Sequence, residues 1–181
     1  MAPFICHSCY FKVMPLPYRS LALLTPKNVQ GYAASTCGAP IMPKVAPRGR
    51  LGTYKGSDQY GGFTQVQYIT TCTDGPRSSI VRFYGKVAIA TPVWVWCSCP
   101  YFLFFLEVAL TRRKSSAVVN SNGRLPIVRN PRLIPYLCKH LFNIYRIIPG
   151  QSQRILSVAI KTEAPFRKVP AKLRKIGGLL V

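Results

Sequence analysis

Thr91-Pro-Val-Trp-Val-Trp-Cys-Ser-Cys-Pro-Tyr-Phe102 brings a strand, a pair of thiols and a helix start together in one short run. Alternating Val and Trp suit a pleated strand, and Pro100 suits the first turn of a helix. Between them stand Cys97 and Cys99. A second close pair, Cys138 and His140, lies beyond residues 100–137 in Pro135-Tyr-Leu-Cys-Lys-His-Leu141. A tetrahedral metal site is readily assembled from two such half-sites, so Cys97, Cys99, Cys138 and His140 are read as one structural zinc site. An iron–sulfur cluster suits this set less well, because one ligand is an imidazole.

Outward from this run the pattern is α+β. Phe63, Val66, Tyr68 and Thr70 alternate with polar neighbours, and a turn follows at Asp74-Gly75-Pro76. Ile80–Tyr84 and Lys86–Ala90 read as a second strand bent at Gly85, and Pro92–Cys97 as a third, which together make an antiparallel meander. Tyr101–Lys114 contains no Pro or Gly and carries an apolar stripe at Phe102, Phe105, Leu106, Ala109 and Leu110. That spacing predicts a helix. A loop rich in turn formers spans 115–131, and a second helix is expected from about Pro135 to Ile147, ending before Pro149-Gly150. The expected fold is a small antiparallel sheet and two helices around the metal, with long irregular arms at both ends.

Three regions follow from this reading: a basic Pro/Gly-rich arm over 1–62, a metal-organised domain over 63–150, and a basic arm over 151–181. Prolines at 3, 15, 17, 26, 40, 43 and 47 are expected to interrupt regular structure in the first. In the last, Pro165 and Pro170 stop one continuous helix, and the apolar residues are too widely spaced to build a core.

The chain has 25 Lys and Arg against 4 Asp and Glu, a formal net charge of +21. Such a surplus calls for acidic company, whether nucleic acid, anionic lipid or the faces of other subunits. Membrane insertion is not expected. Met1–Leu24 is broken by prolines and cations, and a span over Trp94–Leu110 would bury Cys-Ser-Cys-Pro and Glu107 at bare minimum length. The 7 cysteines are an odd number, and the adjacent Cys-x-Cys suits coordination better than bridging, so synthesis in a reducing compartment is expected. Cys6 and Cys9 could form half of a second metal site, completed by Cys37 or Cys72. An isolated thiol pair is the blander account.

No catalytic apparatus is evident. The carboxylates are unpaired in sequence, His7 and His140 are the only histidines, and neither a Walker loop nor a dinucleotide fingerprint occurs. A zinc with four protein ligands leaves no position for a reactive water. The expectation is a structural protein rather than an enzyme.

The order Cys-x-Cys…Cys-x-His resembles SWIM-type zinc fingers. Trp94-Val-Trp-Cys-Ser-Cys-Pro-Tyr-Phe102, Ser121-Asn-Gly123, Arg129-Asn-Pro-Arg132 and Pro135–Leu141 together resemble a group of tailed-bacteriophage virion proteins. The similarity spans about Thr91 to Leu141, and neither end contributes. It implies a structural subunit of the head, neck, tail or baseplate, made in the host cytoplasm and resident in the virion among other subunits. The alternative is a nucleic-acid-binding protein, such as a ribosomal subunit or packaging factor. Mixed aromatic and basic runs such as Tyr54-Lys55 and Arg82-Phe83-Tyr84 favour it.

Overall fold

The computed structural model describes residues 14–42 and 52–161. Four strands, β1 (Thr53–Asp58), β2 (Gly61–Cys72), β3 (Gly75–Phe83) and β4 (Val93–Cys97), form an antiparallel meander, of which the last three are the expected ones. A two-residue strand, β5 (Ile160–Lys161), adds to β1 in parallel, giving the order β4-β3-β2-β1-β5. The β2–β3 hairpin turns at Thr73-Asp74, and Gly75 takes the positive φ of +95° that a glycine adopts without strain.

Period-two alternation separates two faces of the sheet. Val66 and Tyr68 of β2, Val81 and Phe83 of β3, and Val93, Val95 and Cys97 of β4 face the main core. Phe63, Ile80, Trp94 and Trp96 face the other way, with Tyr54 and Tyr84. On that second face Arg82 is held over the rings of Phe63 and Trp94 at 4.6 and 4.7 Å, and it bonds Gln65 at 2.7 Å and Asp58 at 3.2 Å. A buried guanidinium is tolerated here because its donors are satisfied. Gly56 lies opposite Phe63, whose ring would sit 2.9 Å from an added Cβ.

The main core is covered by helices. α1 (Tyr18–Leu23) and α2 (Lys27–Thr36) come first in the chain, and α3 (Pro100–Phe105) and α4 (Glu107–Arg112) follow β4. α5 (Lys139–Val158) is the longest. It buries Leu141, Ile144, Ile148 and Ile155 completely, each such side chain contributing about 1.5–3 kcal/mol relative to exposure.

The fold differs from the expected one in four places. Residues 14–42 and β1 are part of the folded body rather than an extended arm over 1–62. Pro17 and Pro26 stand immediately before α1 and α2, where proline's missing N–H costs nothing, so they mark helix boundaries. Where β1 stops beside Val66, residues 37–41 take over the free edge of β2 through the bridges Cys37↔Cys72 and Ile41↔Ile69. The helix expected over Tyr101–Lys114 is broken at Leu106, where the Glu107 carboxylate accepts the amides of Val119, Asn120 and Ser121 at 3.2, 3.4 and 2.9 Å. α5 starts later than Pro135 and runs through Pro149. Pro149 and Gly150 face solvent, while the apolar stripe resumes at Ile155. The boundary placed at 150 therefore falls inside α5. The strand expected over Lys86–Ala90 is a loop, from which Ile89 and Thr91 accept the amides of Arg19 and Tyr18. Residues 1–13, 43–51 and 162–181, parts of the two arms, lie outside the described residues.

Candidate metal centre

Cys97 is the last residue of β4, and its cross-strand partner is Ser79 of β3. The chain then turns through Ser98, which is locked to β3 by two bonds. Its amide donates to the Ser78 carbonyl at 2.9 Å, and its hydroxyl accepts the Ser78 amide at 3.0 Å. Cys99 is the N-cap of α3, and its sulfur accepts the Phe102 amide at 3.4 Å. The first half-site is thus fixed between a strand end and a helix start, as the sequence implied.

Cys138 is the N-cap of α5 and His140 lies in that helix's first turn. This half-site is pinned by the N-terminal segment. Tyr18 Oη donates to the Leu141 carbonyl at 2.7 Å, the Leu137 amide donates to Thr25 Oγ1 at 3.1 Å, and Asn143 Nδ2 donates to the Gly38 carbonyl at 2.8 Å. Lys139 reaches Asp74 in the β2–β3 turn at 3.0 Å.

The four side chains meet. The ligand atoms of Cys97, Cys99, Cys138 and His140 all lie within 4.8 Å of one another, and all four residues are buried. His140 Nδ1 is 3.7 Å from Cys97 Sγ and 3.9 Å from Cys138 Sγ. Zinc bonds of about 2.3 Å to sulfur and 2.0–2.1 Å to nitrogen put tetrahedral ligand atoms roughly 3.5–3.8 Å apart. The two His140 distances match this within a few tenths of an ångström, and the set as a whole lies within about 1 Å of it. His140 Nε2 is buried without a hydrogen-bond partner, so the imidazole is not held as an ordinary core histidine.

The thiols share an unequal burden of charge. Burial raises Cys97 and Cys138 above the ordinary thiol range. Hydrogen bonds from Cys138 and Cys97 draw Cys99 below it, against its own burial. One thiolate stabilised by two neighbouring thiols is a donor set that a divalent cation completes by displacing the remaining protons. The residues present therefore fit zinc and form a cluster able to coordinate a metal ion. Among the described residues no four-cysteine set of the iron–sulfur kind occurs.

Cys37 and Cys72 were candidates to complete a second metal site with Cys6 and Cys9. The structure joins them in a disulfide that closes residues 37–72. This departs from the reading in which metal coordination and a reducing compartment, rather than bridging, account for the cysteines. Cys6, His7 and Cys9 lie outside the described residues. A ring nitrogen of His140 is within 4.8 Å of both disulfide sulfurs, so this bond abuts the metal cluster.

Sequence reasoning missed Ser79, whose hydroxyl donates to Cys97 Sγ at 3.3 Å, and it missed Tyr18, Thr25 and Asn143. Ser79 becomes visible once the β3–β4 register is known. The others carry no local signal, because their partners are more than a hundred residues away in the chain. Among the described residues, no helix is long and apolar enough to cross a membrane. Comparison of the chain with protein families, with curated proteins and with solved structures finds no match.

Proposed function

We propose that the chain is a zinc-stabilised structural subunit of a larger assembly, and that this assembly is a tailed-bacteriophage particle. The observation that carries the first part is the buried Cys97–Cys99–Cys138–His140 cluster, whose half-sites come from two separate junctions of the fold. A closed set of four protein ligands suits a structural role and leaves no place for a reactive water. The metal would tie the β4–α3 junction to the start of α5.

Charge supports assembly. Among the described residues, Asp58 pairs with Arg82, Asp74 pairs with Lys139 and Arg77, and Glu107 is consumed by backbone amides. Little acid is left for the chain's cations, so their counter-charge must come from a partner. The particle itself is suggested by the Cys-Ser-Cys-Pro, Ser-Asn-Gly, Asn-Pro and Cys-Lys-His blocks.

Two measurements test this. Elemental analysis of the purified chain is expected to find a single zinc ion per chain, and a metal-free folded protein would sink the structural-zinc reading. Mass spectrometry of nuclease-treated, purified particles from the source virus is expected to find the chain. Its absence there, with recovery in a nuclease-sensitive complex, would favour the nucleic-acid-binding alternative.

A further inference from the structure

The segment between α4 and α5, together with α3, leaves apolar side chains in water. Phe104 is 64 % exposed, Leu125 53 %, Ile127 86 % and Val128 87 %. Beside them is an open recess of about 300 Å³ lined by Leu103, Phe104, Phe105, Asn122, Arg124 and Leu125. Isolated exposed apolar residues need no explanation. Two that line a recess, Phe104 and Leu125, with two more just after Leu125 in the chain, Ile127 and Val128, mark a contact surface.

This segment is held in place. Its start is fixed by the three amides bonded to Glu107. Its end is fixed by Asn130, whose Nδ2 donates to the carbonyls of Phe105 and Ile134 at 2.9 and 3.0 Å and whose Oδ1 accepts the Ile134 amide at 2.8 Å. Pro126 is buried between the exposed Leu125 and Ile127. A surface fixed before binding loses little conformational entropy on contact.

Charge narrows the occupant. Arg124, Arg129 and Arg132 are exposed along the same segment, and the ion pairs among the described residues involve none of them. Among the described residues, a second copy of this chain has no spare carboxylate to offer, since Asp58 and Asp74 are paired with cations and Glu107 with backbone amides. Nucleic acid would meet the arginines but leave Ile127 and Val128 unsatisfied, and a flat lipid surface has no use for the recess. A polypeptide carrying carboxylates beside an apolar side chain satisfies all three features.

Resting on the reading of the chain as an assembly subunit, we infer that Phe104, Leu125, Ile127 and Val128, with Arg124, Arg129 and Arg132, form the docking surface for an acidic polypeptide segment that seats an apolar side chain in the recess.

The test is selection of a displayed library of random 16-residue peptides against the zinc-loaded chain, followed by solution binding of the enriched peptides. They are expected to combine Asp or Glu with large apolar residues. Their affinity should fall at least tenfold for Ile127→Ser/Val128→Ser and for Arg124→Glu/Arg132→Glu, with zinc content and circular dichroism unchanged. Absence of enrichment, enriched peptides without acids, or equal binding to both variants overturns the inference. So does loss on Ile127→Ser/Val128→Ser of binding to phosphatidylserine vesicles, to a single-stranded oligonucleotide or to a second copy in sedimentation velocity. Zinc content and particle residence are measured separately, so failure here leaves the structural-subunit reading standing or falling on its own tests.

Discussion

Ser79 lies directly across the β3–β4 ladder from Cys97 and donates its hydroxyl to that cysteine's sulfur at 3.3 Å. Burial pushes the Cys97 thiol up, and the serine works against this by favouring the thiolate that a metal needs. Ser79→Ala removes the bond with little change in volume. Zinc affinity, measured by competition with a chromogenic chelator, is expected to fall about 10–100-fold while the fold persists. Unchanged affinity would show that the serine serves only to satisfy its own burial.

Metal removal should act on the whole fold. Structural zinc supplies about 10 kcal/mol or more of apparent folding free energy in small metal-organised proteins, which is comparable to the 5–15 kcal/mol that stabilises a whole domain. Chelation, His140→Ala or Cys138→Ser is therefore expected to abolish the cooperative thermal transition. A chelated protein keeping native near-ultraviolet dichroism would contradict this.

The N-terminal helices should matter to the metal as well. Tyr18 is fully buried, and its hydroxyl donates to the Leu141 carbonyl in the first turn of α5. Tyr18→Phe keeps the ring and removes this second hydrogen bond to a carbonyl already in the helix ladder, at a cost of roughly 0.5–1.5 kcal/mol. The expected result is a lower denaturant midpoint with zinc still bound. Deleting residues 1–42, by contrast, is expected to prevent zinc retention, because Thr25 and Gly38 also hold the second half-site. A deletion protein that kept zinc and a cooperative transition would show that α1 and α2 are dispensable.

The sequence revealed the site more fully than the fold around it. Cys97, Cys99, Cys138 and His140 were legible as a cluster because the residue types able to coordinate a metal are few and stand here in two close pairs. The meander was legible because Val66, Tyr68, Val81 and Val95 alternate with residues of the opposite face. Helices α1 and α2 were not, since prolines at 15, 17 and 26 read as breakers until the chain shows that two of them precede helix starts. The run of α5 past Pro149 was hidden for the same reason: one solvent-facing proline reads as a stop, while the packing of Ile155 that carries the helix onward is a tertiary fact.

The disulfide between Cys37 and Cys72 was not legible either, because its two halves come from the end of α2 and the end of β2 and meet only when residues 37–41 line the edge of the sheet. A cross-link closing a loop of 35 residues removes enough freedom from the unfolded chain to be worth about 3–4 kcal/mol by the entropic account. Both sulfurs abut His140, yet neither belongs to the set completed by Cys97, Cys99 and Cys138. Cys37→Ser/Cys72→Ser is therefore expected to lower the denaturant midpoint substantially while leaving a single zinc ion per chain. Mild reduction of the wild-type protein should give the same separation, with stability falling and metal retained. If the double variant folded but lost its zinc, these cysteines would belong among the ligands and the four-residue centre would have to be redrawn around them.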